Sequence, residues 1–239
     1  YQDLYFIEAE QDGTIWGGIT EENIPGGLFV YNSVTEDIKL HLEQYWITDL
    51  KITPQYVVVS TRDKGIWAYE KETKVWSQIK SDKHYLLFTW SMIKDSQDRI
   101  WVSNLTDGLL QLDLNKKTSI SALGDKEQFQ DIRCIIETSP EQLLLVGSSS
   151  LYKFDVRNKR VTDFEYSNWK RGEDKGSLNC ASNSVGDIAI AGEKQVTFLT
   201  GVSEQMRMEG FFINNTRPMD VFFTISESGN ENILVNDIF

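Results

Sequence analysis

Aromatic and cationic side chains recur at one place in this sequence, where short apolar runs begin. They are Tyr5, Trp46, Trp90 and Arg133, with Leu178 last. An aromatic face stacks on a sugar ring, and a guanidinium holds a carboxylate through paired hydrogen bonds. Three aromatics and an arginine could form a platform with a carboxylate clamp. The plainer expectation is that they line a channel or pack against a neighbouring element. A second candidate is Trp169-Lys170-Arg171, inside the long connection from Tyr166 to Gly176, where an aromatic meets several cations. Long loops hint at function, and a solvated linker is the plain alternative. His84, in Lys80–Tyr85, reads as a surface loop histidine rather than a pH switch.

Catalytic signatures are missing from the sequence. Gly-x-Ser-x-Gly, Cys-x-x-Cys and phosphate-binding glycine loops do not occur. Glycoside hydrolysis needs two carboxylates facing one cleft, but 36 Asp and Glu residues make any chosen pair uninformative. Cys134 and Cys180 lack the spacing of a zinc site, and His41 and His84 lie far from both. The two cysteines are expected to be small buried hydrophobes. No catalytic residue, metal or cofactor is expected.

The balance of 24 Lys and Arg against 36 Asp and Glu leaves a formal charge of −12 over 239 residues. So acidic a chain repels phosphate backbones, which argues against nucleic acid as a partner. With 40% hydrophobic, 12% aromatic and 25% charged residues, the composition is that of a folded globular protein. No apolar run approaches the roughly 18 residues of a membrane-spanning helix. The opening Tyr1-Gln2-Asp3-Leu4 is strand-like, with no basic and apolar leader. The end at Phe239 falls within an alternating stretch. Both ends read as cuts within a longer protein.

The elements that must position these residues repeat. Trp16, Val58, Trp101, Leu144 and Ala189 each sit mid-way in a short apolar run, at steps of 42, 43, 43 and 45 residues. A second element follows each: Gly27-Leu28-Phe29-Val30-Tyr31, Gly65-Ile66-Trp67-Ala68-Tyr69, Gly108-Leu109-Leu110-Gln111-Leu112, Ser150-Leu151-Tyr152-Lys153-Phe154 and, weakly, Lys194-Gln195-Val196-Thr197-Phe198. Polar turns such as Gln11-Asp12-Gly13 and Ser96-Gln97-Asp98 separate the runs, which is hairpin chemistry. Helical periodicity is absent. Four short strands per unit of about 40–45 residues is the pattern of a propeller blade. The expected fold is all-β, a β-propeller of about five four-stranded blades. Each blade hides its broad faces against the next, with Trp16, Trp101 and Leu144 packed between blades. The blades are expected at about 1–43, 44–83, 84–126, 127–176 and 177–203, followed by a strand-bearing extension at 204–239. The acidic stretch from Thr20 to Pro25 reads as a longer hairpin loop.

Two segments carry a family resemblance. Ile7-Glu8-Ala9-Glu10-Gln11-Asp12-Gly13-Thr14-Ile15-Trp16-Gly17-Gly18, followed by Gly26-Gly27-Leu28-Phe29-Val30-Tyr31, resembles the two-component regulator propeller repeat. So does Met92–Ser103 followed by Asp107-Gly108-Leu109-Leu110-Gln111-Leu112-Asp113. The likeness covers residues 1 to about 200. It implies the periplasmic sensor region of a Bacteroides-type hybrid two-component system, which controls genes for using complex glycans. Such proteins combine two propellers, an immunoglobulin-like domain, one membrane helix, and cytoplasmic histidine kinase and regulator parts. The resemblance further implies an oligosaccharide ligand, often acidic, and a homodimer formed through the whole protein. It also implies that 204–239 leads toward the immunoglobulin-like domain. Family propellers commonly have seven blades, which implies further blades before Tyr1; a complete five-bladed ring is the alternative. Two rival functions stand beside the non-catalytic sensor: a protein-interaction propeller and a propeller lyase or glycosidase.

Overall fold

The computed structural model describes residues 2–21, 24–81, 86, 89–104, 107–123, 132–147, 151–163, 179–183, 187–191, 195–200, 207–212, 218–225 and 231–237. Among these every regular element is a β-strand. The chain divides into two compact units, Tyr1–Asp131 and Ile132–Phe239.

The first unit holds three four-stranded antiparallel sheets. They are β1 (Gln2–Ala9), β2 (Thr14–Glu21), β3 (Ile24–Asn32) and β4 (Ile38–His41); β5 (Ile47–Ile52), β6 (Tyr56–Thr61), β7 (Ile66–Glu70) and β8 (Val75–Ile79); and β9 (Thr89–Lys94), β10 (Ile100–Asn104), β11 (Gly108–Asp113) and β12 (Thr118–Ser121). Each sheet runs in sequence order, as hairpin connections require. The first strands adjoin, β5 lying against both β1 and β9. At the far edge, Lys80 bridges to the start of β12: its N–H donates to Lys117 O at 3.1 Å, and its carbonyl accepts from Ser119 N at 3.1 Å.

Turn geometry repeats with the period. Between first and second strands the left-handed position falls on Gly13 (φ 86°), Asp98 (φ 58°) and Glu141 (φ 70°). Between third and fourth strands it falls on Glu36, Lys74, Lys117 and Lys159. The residue closing the third strand caps that outer turn: Asn32 Oδ1 accepts from Val34 N, Asp113 Oδ1 from Lys116 N, and Asp155 Oδ1 from Asn158 N. Those backbone donors, first among the causes, hold the Asp113 and Asp155 carboxyls below their ordinary pKa. A glycine of positive φ stands within β3 (Gly27), just before β7 (Gly65) and at the start of β11 (Gly108). At Gly27 a side chain would press on the His41 and Leu42 carbonyls.

Among the described residues the broad faces form two cores in this unit. Trp16 and Leu28 of the first sheet pack with Leu50, Val57 and Val59 of the second. Val58, Ile66 and Ala68 on the second sheet's other face pack with Met92, Ile100, Val102 and Leu110 of the third. Burying each such side chain contributes roughly 1.5–3 kcal/mol. The expected stacking of sheets through the Trp16 face is present, and the fold is propeller-like.

The second unit holds β13 (Ile132–Ser139), β14 (Gln142–Gly147), β15 (Leu151–Asp155) and β16 (Arg160–Asp163), then β17 (Asn179–Ser182), β18 (Ile188–Ala191), β19 (Gln195–Thr200) and β20 (Arg207–Phe212). A two-stranded sheet follows, β21 (Pro218–Ile225) with β22 (Glu231–Asp237). Leu144 and Ile136 pack with Ile188, Ile190 and Leu199.

Three expectations need correction. The fifth sheet takes its fourth strand from Arg207–Phe212, so the boundary at 203 cuts the sheet short. β21 lies against β17 and β18 within the same unit. The stretch Thr20–Pro25 continues the β2–β3 ladder through Thr20↔Pro25 and Glu21↔Ile24, with a bulge after Ile19, and is not a longer loop. Cys134 and Cys180 are joined in a disulfide. Their Cα atoms are 6.3 Å apart, on the first strands of consecutive sheets. Sheet packing brings the two strands together, which a separation of 46 residues does not reveal. Closing that loop is worth about 4 kcal/mol on the chain-entropy account.

Candidate functional site

The registers of the first two strands place every sheet on one scale. Trp16 pairs with Glu8, Val58 with Lys51, Trp101 with Ile93, Leu144 with Ile136 and Ala189 with Ala181. On that scale four first strands carry a bulge at one position. The residue inserted is Tyr5 in β1, Thr48 in β5, Trp90 in β9 and Arg133 in β13. A bulge bends its strand and re-aims the residue it inserts. β21 has its own bulge at Met219.

Three of the four candidates near strand starts therefore stand at one structural position. Tyr5 and Trp90 share it in the first unit, where Thr48 on β5 lies between their strands. Arg133 holds it in the second unit. Trp46 does not: it precedes β5, and Thr48 takes the bulge, its hydroxyl 2.9 Å from Ser60 Oγ. Leu178, Trp169, Lys170 and Arg171 lie outside the described residues, as does His84.

Trp46 has a partner that the spacing did not suggest. The Arg62 guanidinium sits over its ring, 4.8 Å from the centroid, and Arg62 N donates to Trp46 O at 2.9 Å. Such a contact is worth roughly 0.5–1 kcal/mol at an exposed site. The turn that carries Arg62 is tied down. Thr61 Oγ1 donates to Gly65 O at 2.7 Å and accepts from Lys64 N at 3.0 Å. Lys64 O accepts from Trp67 Nε1 at 2.9 Å and from Gln78 Nε2 at 2.8 Å. A half-buried indole and an exposed guanidinium thus stand one ladder step beyond the Thr48 bulge.

Beside the bulges lies a charged cluster. Lys51 Nζ donates to Asp49 Oδ1 at 2.8 Å, to Leu50 O at 2.8 Å and to Glu8 Oε1 at 3.2 Å. The other Glu8 oxygen accepts from Ile52 N at 3.2 Å, which joins β1 to β5. Burial pushes the Asp49 carboxyl above its ordinary pKa, against the pull of Lys51. Burial also works against the Lys51 charge, but Asp49 and Glu8 together outweigh it and raise that pKa. These three side chains were not singled out in the sequence, where they are ordinary members of strands. Their spacing in β5, an acid two residues before a lysine, is the signal that could have found them.

The chemistry available at these strand starts is recognition: a flat aromatic, a guanidinium and hydroxyls. Among the described residues no three His, Cys, Asp or Glu side chains are grouped to hold a metal.

No model of a known protein family matches the chain, and no curated protein matches it. Solved structures do. The extracellular domain of BT4673 from B. thetaiotaomicron is described in one structure as a one component system and in another as a hybrid two component system. In the first, 97% of this chain aligns with 37% of that one at a TM-score of 0.65 and 10% identity. In the second the figures are 96%, 36%, 0.65 and 10%. For the extracellular domain of the hybrid two component system BT3049 from the same organism, 98% of this chain covers 32% of that one, at TM-score 0.62 and 15% identity. The computationally designed protein Ika8 matches at TM-score 0.65 and 8% identity, over 98% and 71% of the two chains. The chain shares this fold, and it spans about a third of the length of the B. thetaiotaomicron domains it matches.

Proposed function

We propose that this chain is the non-catalytic ligand-sensing portion of a hybrid two-component system, exposed to the periplasm. Its ligand is a glycan-derived, acidic oligosaccharide received where the first strands begin. Binding changes shape or dimerisation and signals through a downstream membrane helix to a histidine kinase. The carrying observation is the recurrence of one bulge within the first unit, at Tyr5, Thr48 and Trp90. The Trp46–Arg62 pair supports it with a stacking face and a cation. The fold shared with extracellular domains of two-component systems agrees with a sensor role. The Cys134–Cys180 disulfide suits an oxidising compartment.

A thermal-shift screen against acidic oligosaccharides tests this. A ligand at a hundred times its Kd adds about 2.7 kcal/mol of stability, or about 5 °C or more in Tm for a chain of this size. Arg62→Ala or Trp46→Ala should abolish the shift while leaving the unliganded Tm within a few degrees. No shift with any saccharide, or a shift indifferent to both substitutions, would refute the proposal.

A further inference from the structure

Arg62 is an exposed arginine in a strongly acidic chain, yet among the described residues no carboxylate pairs with it. The neighbouring Asp63 pairs with Lys64 instead, at 3.6 Å. The Arg62 guanidinium lies on the Trp46 ring, 4.8 Å from the centroid, and Arg62 N donates to Trp46 O, so the two side chains leave from joined main chains. The arrangement is gripped from its other side as well. Tyr45 packs against the core between the first two sheets and meets Trp67 edge-on, with ring centroids 5.7 Å apart. Trp67 Nε1 in turn donates to Lys64 O, in the same turn as Arg62. Two consecutive aromatics, Tyr45 and Trp46, thus hold one turn, and the turn holds a guanidinium over an indole.

A sugar ring that stacks on this face of Trp46 must take the place of the guanidinium. A neutral sugar breaks the cation–ring contact and gains nothing from the displaced cation. A sugar that carries a carboxylate keeps the cation beside it through paired, charge-assisted hydrogen bonds. We propose, resting on the sensor reading above, that Arg62 is a charge gate on Trp46: it withholds the ring from neutral oligosaccharides and yields it to those that carry a carboxylate. Arg62 is then the residue that sets specificity at this site. It does so by penalising the wrong ligand as well as by attracting the right one.

The test measures the affinity of the protein for trigalacturonate and for its methyl ester, which share a backbone and differ in charge, by NMR titration. The native protein should bind the acid at least about tenfold more tightly than the ester. In Arg62→Ala that preference should vanish, and the ester should bind about two- to fivefold more tightly than it does to the native protein, the factor by which an exposed cation–ring contact holds the face closed. Arg62→Gln, which keeps most of the side chain's stem and removes its charge, should behave as Arg62→Ala does. Trp46→Ala should bind neither probe. Ester binding that is unchanged or weaker in both Arg62 variants overturns the gate and leaves the sensor reading standing, because the acid still binds the native protein. Binding of neither probe to the native protein and the Arg62 variants also overturns the gate. The sensor reading falls with it only if no other saccharide shifts the Tm in the screen above.

Discussion

Trp101 donates its indole N–H to Asp95 Oδ2 at 2.7 Å, six residues back across the hairpin, and Trp16 does the same to Glu10 Oε1 at 2.7 Å. Asp95 and Glu10 hold the same register position, two residues beyond the partner of the tryptophan. The acid satisfies the one polar atom of a buried side chain. At this position the second sheet has Thr53, whose hydroxyl accepts from Tyr56 N at 2.9 Å. The fifth has Asn183, whose Oδ1 accepts from Asp187 N at 2.7 Å. A polar hairpin lock is thus common to the sheets, and an acid serves where a tryptophan must be anchored.

Asp95→Ala should therefore be among the most damaging single changes in the first unit. Asp95 is 3% exposed and accepts from Gln97 N, Arg99 N, Arg99 Nε and Trp101 Nε1. Removing it takes the carboxylate from a part-buried guanidinium and the acceptor from a buried indole N–H, at a cost of about 3 kcal/mol. Glu10→Ala should cost less. Glu10 retains 17% side-chain exposure, and water can reach the Lys71 ammonium that it binds. Urea unfolding of the two variants measures the difference; equal losses would remove Asp95 from its special place.

Much of this was legible in the chain. Val58, Leu144 and Ala189 lack the tryptophan, yet their registers coincide with those of Trp16 and Trp101, because the period marks ladder position rather than residue type. The Glu10–Trp16 and Asp95–Trp101 spacing was visible as well, since both partners lie in one hairpin. Misreadings arose where position depends on something outside the hairpin. Trp46 stood for Thr48 because a strand start is set by the preceding connection, whereas the bulge is set by pairing to β6. The expected boundary at 203 falls in the connection 201–206, where Gly201 and Ser203 give a turn signal that does not tell a turn within a sheet from the end of one. The bond between the cysteines is not legible in the sequence, because their meeting depends on sheet-to-sheet packing.

That packing makes the disulfide position transferable. Cys134 stands two residues before the partner of Leu144, and Cys180 one residue before the partner of Ala189. In the second and third sheets these positions are Asp49 and Met92. If the first strands pack alike, Asp49→Cys with Met92→Cys should oxidise to a second bridge, since cysteine Cα atoms about 4.4–6.8 Å apart can be joined. A non-reducing peptide map reads the product. Two thiols that remain free in air-oxidised, folded protein would show that the packing differs between the two pairs of sheets. Asp49→Cys alone should lower stability, since among the described residues Lys51 then keeps only Glu8 as a charged partner.

His41 supplies a pH dependence. It lies among Trp16, Tyr69 and Trp76, with ring centroids 6.2, 5.8 and 6.0 Å away. Trp76 Nε1 donates to its Nδ1 at 3.4 Å, which requires the neutral ring. Burial first, and Lys39 second, hold its pKa below the ordinary 6.5. The unfolded chain therefore binds a proton that the folded chain refuses. The stabilisation is complete above pH 6.5 and is lost as pH falls through the lower folded value. His41→Phe keeps the aromatic packing and removes the titration. Urea midpoints of the native protein and of His41→Phe, compared at pH 7.5 and 5, separate this effect from that of the carboxylates common to both. The native protein should lose more stability on acidification than the variant. Equal losses would mean that the His41 ring takes its proton without disturbing the Trp76 contact.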